Sequence, residues 1–199
     1  MCEFATIDGM RTAILAPRGL DPVWAAKMLQ TVPDLPTVPD RAKYLTEKAL
    51  GQVVLDLGCT GPISQRVRVA ATGYHGVDRT VGPWDQLDLD REPERLPIYP
   101  DVTLILISEL IEHLSNPGRC LEALRAAYPT TPCYVTVPQA GAYRLVDGRE
   151  MVHPDHVAYY SYTTLLTLLR RHGFVVAEAR WYHGEPHKAE GLIVLARGQ

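Results

Sequence analysis

The sequence predicts an α/β fold: a mostly parallel, seven-stranded sheet with helices on both faces and an antiparallel last strand. Three observations carry this. From residue 52 onward, short apolar runs alternate with longer stretches of helical spacing, the pattern of βα units around a parallel sheet. The last two runs are joined by a segment with no room for a crossover helix, so they pair antiparallel. The chain has 199 residues, 46% hydrophobic and 22% charged, which is the composition of a folded globular domain and excludes disordered and fibrous classes.

The first 50 residues are punctuated by Pro17, Pro22, Pro33, Pro36 and Pro39. They read as a helical extension packed on the main domain, 51–199, with short helices at 21–30 and 40–50. Asp40 can cap the second helix and Gly51 can end it. The first strand covers 52–57, and a helix over 62–71 starts on Pro62, whose fixed φ suits a first helical position. Strands follow at 74–77 and, more weakly, at 84–89, then at 102–107. A helix at 117–128 leads to a strand at 133–137. The helix at 163–172 buries Leu165, Leu166, Leu168 and Leu169 and stops at Gly173. Strands at 174–179 and 191–196 close the sheet. The stretch 138–161 lacks periodicity and holds Gly141, Gly148 and Pro154 among Tyr, Arg and His. It reads as a loop on the substrate side.

Other classes are excluded on composition. The longest apolar runs, 104–107 and 192–196, are far too short to cross a bilayer, and no basic–apolar–small leader pattern stands at the N-terminus, so a cytoplasmic protein is expected. Cys2, Cys59, Cys120 and Cys133 form no CxxC pair and suggest neither a disulfide framework nor a zinc cluster. A net charge of −3 supplies no field for a polyanion, so nucleic acid is not an expected partner.

Function is written at the ends of the strands. Val53-Val54-Leu55-Asp56-Leu57-Gly58-Cys59-Thr60-Gly61-Pro62 is a buried strand, an acid, a glycine turn and a helix start. In open α/β sheets, ligands bind where such turns leave the carboxyl ends of strands. Tyr74-His75-Gly76-Val77-Asp78 ends in a second acid about twenty residues on, where a carboxylate can accept ribose hydroxyls. Asp88 follows the weak third strand. Three successive acids point to an adenosine ligand. The GxGxxG fingerprint is absent, and Asp56 at the turn disfavours a pyrophosphate while tolerating a cationic sulfonium amino acid. Ser108-Glu109-Leu110-Ile111-Glu112-His113 follows the fourth strand, and on a helix the i, i+3 and i+4 spacings would bring Glu109, Glu112 and His113 to one face. His153-Pro154-Asp155-His156 lies downstream in the long loop.

These motifs, VVLDLGCTG, YHGVD, LILISELIEHLSNPGRCLEAL, CYVTVPQAG and HPDHVAYYSYTTLLTLLRRHGF in that order, resemble the class I S-adenosylmethionine-dependent methyltransferases, small members with a Glu-His pair after the fourth strand. The resemblance covers residues 40–197 and implies a Rossmann-like fold, S-adenosylmethionine as cofactor and methyl transfer to an oxygen or nitrogen of a small molecule. It places Asp56 and Gly58 at the methionine end, Asp78 on the ribose, and Asp88 and Leu89 along the adenine. Cys59, Thr60, Gly61, Arg79 and Ser108 belong to the same cofactor set. The sequence departs from the family at Thr60 and Pro62, where glycines usually stand, and in the five residues 79–83, where a helix is usually inserted.

Methyl transfer from a sulfonium needs little more than alignment and removal of the acceptor's proton, because the leaving group departs neutral. His113 is the expected base, with His156 second and Glu109 beside them. Two other readings stay open. One is charge placed at a helix start. The other is a divalent-metal site of Glu109, Glu112, His113 and His156, the set seen in small-RNA 3′-terminal 2′-O-methyltransferases. A metal-free site is the expectation. Metal-assisted RNA or nucleotide 2′-O-methylation and a non-catalytic binding domain of the same fold are the alternatives. Tyr143, Arg144 and Arg149 read as solvated loop residues, Tyr159, Tyr160 and Tyr162 as packing the loop down, and His183 and His187 as surface histidines.

Overall fold

A computed structural model describes residues 5–7, 10–12, 34–139, 145–146, 149–150, 155–183 and 191–199. The chain divides into two compact units, Met1–Val32 and Pro33–Gln199. In the first, β1 (Ala5–Ile7) and β2 (Met10–Thr12) pair antiparallel.

The second unit begins with β3 (Thr37–Val38) and α1 (Arg41–Ala49). The Asp40 side chain caps α1 by accepting from the Lys43 amide at 2.9 Å, and Gly51, at φ +72°, turns the chain out of it. Thus α1 folds as part of the compact unit that starts at Pro33. β4 (Val53–Leu57), α2 (Pro62–Ala70), β5 (Gly73–Asp78) and β6 (Asp85–Gln86) follow, with Pro62 in the first turn of α2. Then come β7 (Leu104–Ser108), α3 (Pro117–Ala127), β8 (Cys133–Pro138) and the small antiparallel pair β9 (Leu145–Val146) and β10 (Arg149–Glu150). α4 (Tyr162–Arg171), β11 (Phe174–Tyr182) and β12 (Gly191–Gly198) complete the unit. Ser161 and Thr164 form a reciprocal cap at the start of α4.

The main sheet runs β3-β11-β12-β8-β7-β4-β5-β6. Only β12 runs against its neighbours; the other pairings are parallel. The Rossmann-like α/β fold is therefore present, with the expected antiparallel last strand. The sheet has eight strands, not seven, because Thr37–Val38 adds to the free edge of β11. The Trp181 amide donates to the Pro36 carbonyl and the His183 amide to the Val38 carbonyl, both at 3.0 Å, so an otherwise open edge is paired.

Among the described residues, two helices cover each face. Leu55 and Leu57 of β4 pack with Cys120, Leu121 and Leu124 of α3 and Leu165, Leu166 and Leu169 of α4. Val54 packs on the other face with Leu45 and Ala49 of α1 and Val67 of α2. The period-two alternation of β4 thus feeds both layers. Among the described residues, no helix is long and apolar enough to cross a membrane.

Two sequence expectations are corrected. The weak strand at 84–89 shortens to Asp85–Gln86, and 108–113 is not a helix: Glu109 sits at φ +53°, and only Ile111–His113 makes a single 3₁₀ turn. A helix at 21–30, Tyr143, Arg144, His153, His187 and the side chain of Arg149 lie outside the described residues.

Candidate active site

The strand pattern reverses at β4, with β5 on one side and β7 on the other, and the candidate site spreads over the carboxyl ends of these three strands. On the β5 side, Gly58 adopts φ +79° and donates its amide to the Val77 carbonyl at 2.8 Å. A Cβ there would lie 3.2 Å from Leu110 Cδ1, so both backbone angle and space call for glycine. Cys59 is buried with its Sγ over Gly76, where a Cβ would come within 2.8 Å of the sulfur. Gly61 caps α2 through its backbone, and Thr60 is exposed between them.

Asp78 ends β5 and is 7% exposed. Its Oδ1 accepts from the Thr80 amide at 2.8 Å and the Thr80 hydroxyl at 2.7 Å, and its Oδ2 accepts from the Thr60 hydroxyl at 3.2 Å. The Trp84 indole N–H donates to the Thr80 carbonyl at 2.9 Å and fixes that loop. Arg79 is exposed, and its carbonyl accepts from Gln86. Asp88 is half-buried, paired with Arg91 at 3.5 Å, and Leu89 is buried beside it.

Asp56 is placed differently from the expectation. It is wholly buried, takes a 2.6 Å hydrogen bond from the Tyr74 hydroxyl, and has one oxygen, Oδ1, with no partner among the described residues. Burial pushes its carboxyl up to about 6, against the hydrogen bonds from Tyr74 and Ser64. It lies buried beneath the turn, because the alternation of β4 turns it toward α2. Asp90 was not singled out in the sequence. Its carboxylate accepts from the Ser115 amide and hydroxyl, both at 2.8 Å, and ties the loop after β6 to the segment that follows His113. The Asn116–Pro117 helix start is the local signal that could have pointed to it.

On the β7 side, Ser108 shares a 3.1 Å hydrogen bond with Thr136. Glu109 leaves the strand in the left-handed region, a conformation that costs about 1 kcal/mol or more outside glycine. Its Oε1 receives Arg41 Nη1 at 2.5 Å, the Thr136 hydroxyl at 3.0 Å and the Tyr182 hydroxyl at 3.1 Å. The Arg41 guanidinium also lies 4.5 Å over the Tyr182 ring. Glu109 is thus committed to α1 and β11.

Glu112 is 1% exposed, and neither carboxylate oxygen has a hydrogen-bond partner among the described residues. Burial, and then the charge of Glu109, push its carboxyl up to about 8. The Glu112 carbonyl accepts from the amides of Val157 at 2.9 Å and Ala158 at 3.2 Å, and His113 Nδ1 bonds the Asp155 carbonyl at 3.0 Å. This docks 155–158 on the turn and sets His156 edge-on against His113, ring centroids 4.6 Å apart. One ligand atom each of Glu112, His113 and His156 lie within 4.8 Å of one another. The structure therefore gathers three of the four expected residues and leaves Glu109 out. Arg41, Thr136 and Tyr182 were invisible as partners of Glu109 because they lie 68, 27 and 73 positions from it along the chain, beyond the reach of any local pattern.

No family model matches the sequence, and no curated protein matches it. Solved structures do. The Burkholderia thailandensis 1,6-didemethyltoxoflavin-N1-methyltransferase, bound to its substrate and S-adenosylhomocysteine, superposes with TM-score 0.60 at 17% identity, covering 79% of this chain and 78% of that one. The Bradyrhizobium japonicum N-methyltransferase NodS, bound to S-adenosylhomocysteine, gives 0.57 at 14% identity over 79% and 85%. The [4+2]-cyclase SpnF gives 0.56 at 20% identity over 79% and 80%. The chain has the class I methyltransferase fold.

Proposed function

We propose that this protein binds S-adenosylmethionine and transfers its methyl group to an oxygen or nitrogen of a small molecule. The observation that carries this reading is the pairing across β4: a buried, bonded carboxylate at the end of β5 and a histidine pair after β7. The residues fit the cofactor. Gly58 gives the turn its positive φ, and Asp78 keeps its carboxylate at the strand end, where a ribose would meet it. S-adenosylmethionine supplies an electrophilic methyl whose departure leaves a neutral thioether.

The chain's own residues do the rest. The backbone of residues 58–61 and Ser108 would hold the amino-acid end, Asp78 and Arg79 the ribose, Asp88 and Leu89 the adenine. The Asp155 carbonyl can only accept, so Nδ1 of His113 donates to it and the proton-accepting role would fall to Nε2. That nitrogen takes the acceptor's proton as the methyl arrives. His156, edge-on against it, holds the ring in place. The likeness to structures that bind S-adenosylhomocysteine supports the cofactor, and the likeness to a cyclase requires that binding and turnover be measured separately.

The test is calorimetric titration with S-adenosylmethionine and S-adenosylhomocysteine, followed by methyl transfer to a panel of hydroxyl and amine acceptors. Micromolar binding that Asp78→Ala loses supports the reading. Absence of binding to either ligand overturns it and leaves a domain that keeps the fold for another use.

One observation favours a second reading, metal-assisted methylation of a nucleotide or RNA 2′-hydroxyl: Glu112, buried and with no hydrogen bond to its carboxylate among the described residues, lies at ligand spacing from His113 and His156. Glu109, the fourth residue of that expected set, is engaged by Arg41 instead. Activity that collapses with a chelator and returns with a divalent cation supports this reading; activity indifferent to both removes it.

A further inference from the structure

Thr60 stands in the glycine turn where the family resemblance implies another glycine, and its side chain is not idle. It is exposed, yet its hydroxyl reaches 18 residues along the chain to Asp78 Oδ2 at 3.2 Å. The other oxygen, Oδ1, already accepts two hydrogen bonds, from the Thr80 amide and hydroxyl, which fill its two lone-pair directions. Among the described residues, only Oδ2 retains an open acceptor position, so this carboxylate does not take both hydroxyls of a ribose with one bond to each oxygen. A threonine hydroxyl that donates its proton to Asp78 has no further donor to offer, but its oxygen still has two lone pairs.

From this geometry we propose that the ribose site is a composite of Asp78 and Thr60: Oδ2 of Asp78 accepts one ribose hydroxyl, and Oγ1 of Thr60 accepts the other. This deepens the cofactor reading above and rests on it. The bond from Thr60 to a carboxylate makes its oxygen a better acceptor, because polarised hydrogen bonds strengthen one another. It also holds Asp78 in the orientation the sugar needs. The cost of placing a side chain in the turn is small here, since Thr60 is exposed and the positive φ falls on Gly58.

The experiment titrates the full chain with S-adenosylhomocysteine and its 2′-deoxy and 3′-deoxy analogues, in wild type, Thr60→Val, Thr60→Ser and Thr60→Gly, with thermal unfolding of each to confirm folding. Removing one accepted hydroxyl is expected to weaken binding roughly tenfold. Thr60→Val is expected to weaken S-adenosylhomocysteine roughly tenfold, to leave unchanged the one deoxy analogue that lacks the hydroxyl Thr60 reads, and to be rescued by Thr60→Ser. Equal binding by Thr60→Val and wild type overturns the proposal, as does equal weakening of all three ligands, which marks a merely structural role. Failure of wild type to bind S-adenosylhomocysteine overturns the cofactor reading and the proposal with it. Wild-type binding with no Thr60 effect overturns the proposal alone.

Discussion

The two halves of the candidate site differ in how their buried carboxylates are satisfied. On the β5 side, Asp78 accepts three hydrogen bonds from two threonines. On the β7 side, Glu112 is just as deeply buried and accepts none among the described residues. Burial without hydrogen-bond partners favours the neutral form of a carboxyl, or its pairing with a cation. On the proposed function, the β5 half would serve as a preorganised binding surface and the β7 half would carry the electrostatic strain on which proton transfer or cation binding could act.

Breaking the β7 half should cost most. His113→Ala is expected to lower kcat by roughly 10²- to 10⁴-fold, the usual worth of a positioned base, while S-adenosylhomocysteine affinity stays within about twofold. Steady-state kinetics beside calorimetry check this, and a parallel loss of affinity would contradict the division into halves. Breaking the β5 half should show the reverse. Asp78→Ala is expected to weaken S-adenosylhomocysteine by roughly 10- to 100-fold, the value of charge-assisted hydrogen bonds lost to Ala.

A pH series sharpens the contrast without touching catalysis. The folded carboxyl of Glu112 is raised to about 8 from an ordinary 4.5, so the folded state binds that proton more tightly than the unfolded chain. Its stabilising effect is complete below 4.5 and is lost as the pH rises through about 8. Asp56, raised to about 6 from 3.8, acts with the same sign over a lower range. Urea unfolding in chelator between pH 5 and pH 9 should show stability falling with rising pH, by on the order of a few kcal/mol, and Glu112→Gln should flatten the upper part of that fall. An unchanged slope in Glu112→Gln would place the proton elsewhere.

The smallest effect concerns the brace behind the β7 half. Arg41→Met keeps the apolar stem but removes the pairing with Glu109 and Tyr182, at about 1 kcal/mol. A double-mutant cycle with Glu109→Gln should recover a coupling of about 0.5 kcal/mol or more by thermal or urea unfolding. Additive effects would mean that the pair does not act as a unit.

How much was legible follows the range of each signal. Val53–Pro62 announced strand, turn and helix start within ten residues, since alternation, positive φ at glycine and proline at a helix start are all local. Asp78 was singled out because it ends a strand, β5 in the structure. The same local logic misled at Ser108–His113, where helical spacing suggested one shared face: the chain leaves β7 through a left-handed Glu109, and a 3₁₀ turn follows. Helix periodicity cannot reveal a single reversed residue.

The sequence by itself determined the order of strands and helices, the antiparallel end, and the acids at the strand tips, because each depends on residues within one turn or one strand of each other. Only the tertiary structure decided which carboxylates have partners. Thr60 meets Asp78, Arg41 meets Glu109, and Glu112 comes beside His113 and His156, through contacts between segments brought together by sheet order. Burial and hydrogen bonding are properties of those assembled surroundings, and they set what each acid can do.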